Sequence, residues 1–75
     1  MQADISLDTK GMKCPLPILK AKNALRDMAV GDILFVESTD QGSLADFKSF
    51  CDTTGNELLS SDSSDDVYTY YIKKY

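Results

Sequence analysis

Residues 3–8, Ala-Asp-Ile-Ser-Leu-Asp, alternate apolar and polar with a period of two, which predicts a half-buried strand. The turn-like Thr9-Lys10-Gly11 ends it. From Pro15 to Met28 the period lengthens. Ile18, Ala21, Leu25 and Met28 recur at helical spacing, Pro15 suits the first helical position, and Gly31-Asp32 closes the segment. The run Ile33-Leu34-Phe35-Val36 predicts a short strand buried on both faces. A second helix is predicted over 43–54, with Ser43 and Asp46 resembling a capping box and Gly55 as the C-terminal cap. Its inner face is expected to carry Leu44, Phe47 and Cys51, with Phe50 at the edge. Leu58-Leu59 marks a brief strand within 56–61. The serine- and aspartate-rich stretch 60–66 reads as a hairpin loop, and the β-branched and aromatic stretch 67–74 as the strongest strand.

The order is therefore β-α-β-α-β-β. With right-handed crossovers, both helices fall on one face of a four-stranded mixed sheet, a two-layer α/β sandwich in a single domain over 1–75. A chain of this length buries about 60–65% of its unfolded surface and leaves no room for a large substrate cavity.

Composition narrows the chemistry. The longest uninterrupted apolar run is the four residues at 33–36, so no membrane insertion is expected, and the acidic start MQADISLD does not read as a signal peptide. Two cysteines and no histidine make both a disulfide framework and a zinc site improbable and point to a reducing cytoplasm. The net charge of −4 conceals an asymmetry: Lys10, Lys13, Lys20, Lys22 and Arg26 are uninterrupted by any acid, whereas all twelve acids lie elsewhere. An acidic chain is a poor general binder of nucleic acid, so none is expected. A basic patch on an acidic body suits docking onto acidic surfaces of partner proteins, although a solvated helix face reads the same way.

The candidate chemistry sits in Gly11-Met12-Lys13-Cys14-Pro15-Leu16-Pro17. With Pro15 as first helical residue, Cys14 is expected to be the N-cap, beside the positive end of the helix dipole. Pro17 has no N–H, which leaves the Leu16 amide as the expected donor to the sulfur. A free thiol of pKa ~8.5 is only about 3% thiolate at neutral pH, and a shift to ~7 would raise that to about half. The alternative is an ordinary thiol at a loop–helix junction. The absence of histidine excludes Cys-His acyl transfer. A lone activated sulfur suits thiol exchange or sulfur carriage. Cys51, on the apolar stripe with Leu44 and Phe47, reads instead as a core residue.

The stretch LDTKGMKCPLP resembles the Leu-Asp…Gly-x-x-Cys-Pro-x-Pro signature of the TusA-like (SirA-like) sulfur-carrier family. The similarity runs from Leu7 through Lys73. It takes in Gly31-Asp32, Asp40 after the second strand, Phe50-Cys51, the Gly55-Asn56-x-Leu58 turn and the tyrosine-rich final strand. The resemblance implies a two-layer β-α-β-α-β-β sandwich and a persulfide on Cys14. That sulfur would come from a protein donor (a cysteine desulfurase or a rhodanese-like enzyme) and pass to a protein acceptor. Destinations in the family include tRNA thiolation, molybdenum-cofactor assembly and sulfur metabolism. It implies no cofactor or metal in the carrier, which is expected to act as a monomer. Carried over residue by residue, Cys14 is the reacting group, and Gly11, Pro15 and Pro17 shape the site. Lys13, Leu16 and Asp40 are possible contacts to partner or persulfide. Asp40 is expected either to arrange the sheet edge next to Cys14 or to cap the second helix. Gln41-Gly42 replaces the family's usual proline after that aspartate, so a more flexible loop is expected.

Two other readings stay open at this point: a non-catalytic interaction module using the basic face of the first helix, and a thiol switch forming a Cys14–Cys51 disulfide.

Overall fold

Six elements follow one another as β1 (Ile5–Thr9), α1 (Leu16–Arg26), β2 (Ile33–Ser38), α2 (Ser43–Thr54), β3 (Glu57–Ser64) and β4 (Val67–Lys73). They come from a computed structural model that describes residues 3–13 and 15–75. The strands form one mixed sheet in the order β1-β2-β4-β3. β1 runs parallel to β2, from Ile5 opposite Leu34 to Thr9 opposite Ser38. β4 pairs antiparallel with β2 on one side and with β3 on the other.

Period-two alternation in the central strands builds the core. Leu34, Val36 and Ser38 of β2 are buried, while Ile33, Phe35 and Glu37 between them are half-buried. Across the ladder Leu34 faces Ile72 and Val36 faces Tyr70. These four side chains pack with Ala21 and Leu25 of α1 and Phe47 and Cys51 of α2. Both helices therefore cover one face of the sheet, giving the two-layer α/β sandwich that the sequence pattern predicts. The Phe47 and Tyr70 rings lie 4.7 Å apart in that layer. On the opposite face Phe35 and Tyr71 form a second ring pair at 4.9 Å. β2 is thus buried fully on one face only, in place of the two expected, because no helix covers the Phe35 side.

In α1 the buried stripe is Pro17, Ala21 and Leu25, spaced by four. The helix ends at Arg26, two residues short of Met28, which stays in the core just past the end. The ammonium of Lys74 donates to the Leu25 carbonyl and, at 3.3 Å, to the Arg26 carbonyl. A cation at the negative end of a helix is favourable. The stripe of α2 is Ser43, Phe47 and Cys51, and Gly55 at φ +82 closes the helix by donating its N–H to the Cys51 carbonyl at 2.9 Å.

Three local expectations are corrected. No capping box forms: Gly42 is the cap residue of α2, and Ser43 is the first helical residue, with its hydroxyl bonded to the Tyr70 hydroxyl at 2.5 Å in the interior. A hydroxyl there can be buried because it has a partner. Leu44 consequently turns outward, 36% exposed. The stretch 60–66 is mostly strand rather than loop: β3 pairs with β4 as far as Ser64 opposite Val67, with a bulge between Leu58 and Ser60. β4 would otherwise present an unpaired backbone edge, and a polar, exposed outer strand satisfies it without inviting aggregation. The remaining turn is two residues, Asp65 (φ +51) and Asp66 (φ +64), as a two-residue hairpin of the I′ class requires.

Aspartate tolerates the left-handed region but less well than asparagine followed by glycine. The double variant D65N/D66G is expected to raise stability by about 0.5–1 kcal/mol. A urea melt tests this: the midpoint should rise with an unchanged m value.

Candidate functional site

Because β1 and β2 are parallel, the chain leaves both at the same edge of the sheet. The last residues of the two strands, Thr9 and Ser38, are fully buried and opposite each other, and each hydroxyl is partnered. The Thr9 hydroxyl donates to the Glu37 carbonyl. The Ser38 hydroxyl accepts the Asp40 N–H at 3.1 Å. Beyond Thr9 the chain turns tightly. Lys10 N–H donates to the Asp8 carboxylate at 2.9 Å, and Met12 N–H to the Thr9 carbonyl at 3.1 Å. Gly11 between them sits at φ +83 and donates its N–H to the Thr39 hydroxyl at 2.9 Å. No neighbouring atom lies within 4 Å of where a Gly11 side chain would begin, so its conformation, not crowding, favours glycine.

The entry to α1 differs from the expected one. Pro15 is the cap residue, its carbonyl accepting the Leu19 N–H at 3.0 Å, and Pro17 falls in the first turn, buried. The Leu16 amide donates to the Lys13 carbonyl at 2.9 Å. Pro15 thus takes the cap position expected of Cys14; Cys14 itself, with the expectation that its sulfur faces outward, lies outside the described residues. Lys13 on one side of it and Pro15 and Leu16 on the other are exposed, Leu16 by 48%.

Asp40 follows β2 on the neighbouring loop. One carboxylate oxygen accepts the Gly42 N–H at 3.3 Å, and its backbone carbonyl accepts the Ser43 N–H at 3.0 Å. The other carboxylate oxygen is buried without a hydrogen-bond partner among the described residues. Asp40 thus shapes the approach to α2 while Gly42 holds the cap position, and its loop stands beside the Gly11 turn. Gly11, Met12, Lys13, Thr39, Asp40 and Gln41 line one shallow depression of about 460 Å³. The structure brings Gly11, Lys13 and Asp40 together there. Pro15 belongs to a second groove, between the helices, lined also by Ile18, Leu19, Lys22 and Phe50.

Sequence reasoning missed Thr39. Ending β2 at Val36 left Glu37, Ser38 and Thr39 unassigned. Had the pattern of β1 been matched against them, Thr9 would have paired with Ser38 and placed Thr39 beside the Gly11 turn.

Cys51 behaves differently from a reactive thiol. It is 5% exposed, and burial first, then the neighbouring Asp52 carboxylate, pushes its thiol up to about 11. It lies on α2 about 12 Å along the axis from Ser43, at 1.5 Å per residue. Tyr70 is likewise pushed above its ordinary value by burial, partly offset by the Ser43 hydroxyl and reinforced by Tyr68, Asp40 and Asp46. Among the described residues no group of three His, Cys, Asp or Glu side chains is disposed to hold a metal, and no helix is long and apolar enough to cross a membrane.

The Cys51 position fixes a pH dependence. In the unfolded chain this thiol ionises from about 9.0, whereas in the fold it stays protonated to about 11, so unfolding releases a proton between those values. Its contribution is fully present below pH 9 and is lost as pH rises toward 11. Cys51→Ala should flatten stability against pH over that window, and native Cys51 should resist iodoacetamide at neutral pH until the chain unfolds.

The profile of the family described as "Sulfurtransferase TusA" matches residues 5–74. A protein of Neisseria meningitidis serogroup B is 48% identical over 68 residues, covering 91% of this chain and 92% of its own. The sulfur carrier protein TusA of Allochromatium vinosum is 46% identical over 71 residues, covering 95% and 93%. Among solved structures, a SirA-like protein of Desulfitobacterium hafniense superposes with a TM-score of 0.83 at 24% identity, over 92% of this chain and 95% of that one. That last likeness is one of fold.

Proposed function

Since this chain belongs to the TusA sulfurtransferase family, we propose that it is a sulfur carrier whose Cys14 accepts sulfane sulfur from a donor protein and hands it to an acceptor protein. In the loading step the Cys14 thiolate attacks the terminal sulfur of a persulfide on the donor's cysteine. A new S–S bond forms to Cys14 as the donor's S–S bond breaks, the donor's cysteine leaves as thiolate, and the proton stays on the transferred sulfur. Delivery is the same displacement with the roles exchanged. No net oxidation occurs and no cofactor is needed in the carrier; the donor, a cysteine desulfurase or a rhodanese-like protein, generates the sulfane sulfur.

The observation that carries this reading is the convergence of two loops on one sheet edge. Gly11, Met12 and Lys13, which run directly into Cys14, share a depression with Asp40. The chemistry asks for a thiolate without a histidine base, and the chain has no histidine. The positive end of α1 starts at Pro15, the residue after Cys14 in sequence, and the exposed Lys13 is the residue before it. Both favour an anionic sulfur. A shallow depression does not enclose a small substrate and is open to the surface of another protein. Leu16 and Leu19, each 48% exposed on α1 beside Lys22, offer apolar contact flanked by positive charge for that partner. The proposed working compartment is the cytoplasm, where thiols stay reduced.

Incubation with a cysteine desulfurase and cysteine should add one sulfur mass per chain, detected by intact-mass spectrometry. Cys14→Ser should abolish the addition and Cys51→Ala should retain it; equal loading of the Cys14→Ser chain would end the proposal. Lys13→Glu should slow loading about three- to tenfold at low salt, and the deficit should shrink as ionic strength rises.

A further inference from the structure

We propose that Thr39 is a positioning residue for sulfur transfer: its hydroxyl tethers the turn that carries Cys14 to the loop that carries Asp40. The inference rests on the carrier reading above and extends it to a residue of the neighbouring loop. The bonds that hold the turn after β1 are mostly local. Lys10 N–H goes to Asp8, Met12 N–H to Thr9 and Leu16 N–H to Lys13, all within a few residues. Local bonds shape a turn but leave it free to swing as a unit. Among the described residues of this turn, only the Gly11 N–H bonds to a distant segment, reaching the Thr39 hydroxyl across 28 positions at 2.9 Å. Among the described residues the other link is the Lys10–Glu37 ion pair at 3.8 Å, between an exposed lysine and a half-buried glutamate and therefore weak.

Thr39 is well placed to impose a fixed position. It follows Ser38, which is fully buried and bonded to the Asp40 amide, so its own backbone is anchored on both sides. Gly11, the bonded residue, lies three positions before Cys14 and sits at φ +83, where a glycine without a tether has wide freedom. The tether therefore joins the two loops into one surface, fixing Met12 and Lys13 against Asp40 and Gln41 along the shared depression. A group-transfer step is sensitive to such placement because the attacking and leaving sulfurs must align. Losing the hydroxyl should slow transfer without weakening encounter with the donor.

The test compares Thr39→Val, which keeps the shape and removes the acceptor, with Thr39→Ser, which restores it. Hydrogen exchange at the Gly11 amide should accelerate about three- to tenfold in T39V, as for the loss of one hydrogen bond, with core amides unchanged. Loading from a cysteine desulfurase and cysteine should lose a similar factor in maximal rate, about three- to tenfold, while the half-saturating carrier concentration stays within about twofold. The pH midpoint for Cys14 alkylation by iodoacetamide should move toward the free-thiol value of about 8.5. T39S should return all three to wild type. Unchanged Gly11 exchange, a loss confined to the half-saturating concentration, or an equal defect in T39S would overturn the tether. If the wild-type chain takes up no sulfur while the exchange rate and alkylation midpoint respond as described, the carrier reading falls and the tether stands. If the wild type loads and T39V loads equally fast, the tether falls alone.

Discussion

The parallel pairing of β1 with β2 is the constraint on which the rest of this structure depends. Its register sets Leu7 opposite Val36 and Thr9 opposite Ser38, all turned toward the helices. A slip by one residue would carry the apolar set of β1 to the open face and bring Ser6 and Asp8 into the core. Parallel strands cannot be joined by a tight turn, so the pairing also demands the crossover that α1 supplies. Both strands then release the chain at the same edge. The residues that lead to Cys14 and those that lead to Asp40 become neighbours although 28 positions separate their shared bond. Buried hydroxyls finish the ladder: Thr9 and Ser38 each bind backbone of the adjoining strand or loop, so both hydroxyls are satisfied at the end of the pairing.

Around that edge the molecule divides its labour between two cysteines. Cys51 is enclosed with Phe47 and Tyr70 and held protonated, which keeps it out of thiol chemistry near neutral pH. On the proposed reading the chemistry falls to Cys14, which is followed in sequence by Pro15 and by Pro17, a buried residue of the first turn of α1. A buried proline in the first turn costs no helical hydrogen bond, since those amides have no partner within the helix, and it fixes the helix start against the sheet. The rigid parts of the site come from the core, while the groups available to another protein, Lys13, Leu16 and Leu19, stay in solvent.

The sequence made much of this legible. Periodicity distinguished β1 from α1, and α2 has the predicted bounds, closed by the expected glycine. What it concealed has physical causes. The serines of β3 carry no strand propensity; they are extended because β4 needs a partner for its outer edge. Ser43 displaced Leu44 from the inner face because Tyr70, which comes 27 positions later, supplies its hydroxyl partner. The α1 boundary moved by one residue because the Lys13 carbonyl captured the Leu16 amide. Asp40 was found through family likeness, but Thr39 was not, since its role exists only once the register of β1 on β2 is known.

Peptide mapping of the loaded chain tests the central claim most directly. After transfer of radiolabelled sulfur from a desulfurase, the account predicts one label per chain, confined to the peptide containing Cys14 and released as sulfide by a thiol reductant. A label on the Cys51 peptide, or one that resists the reductant, would contradict it.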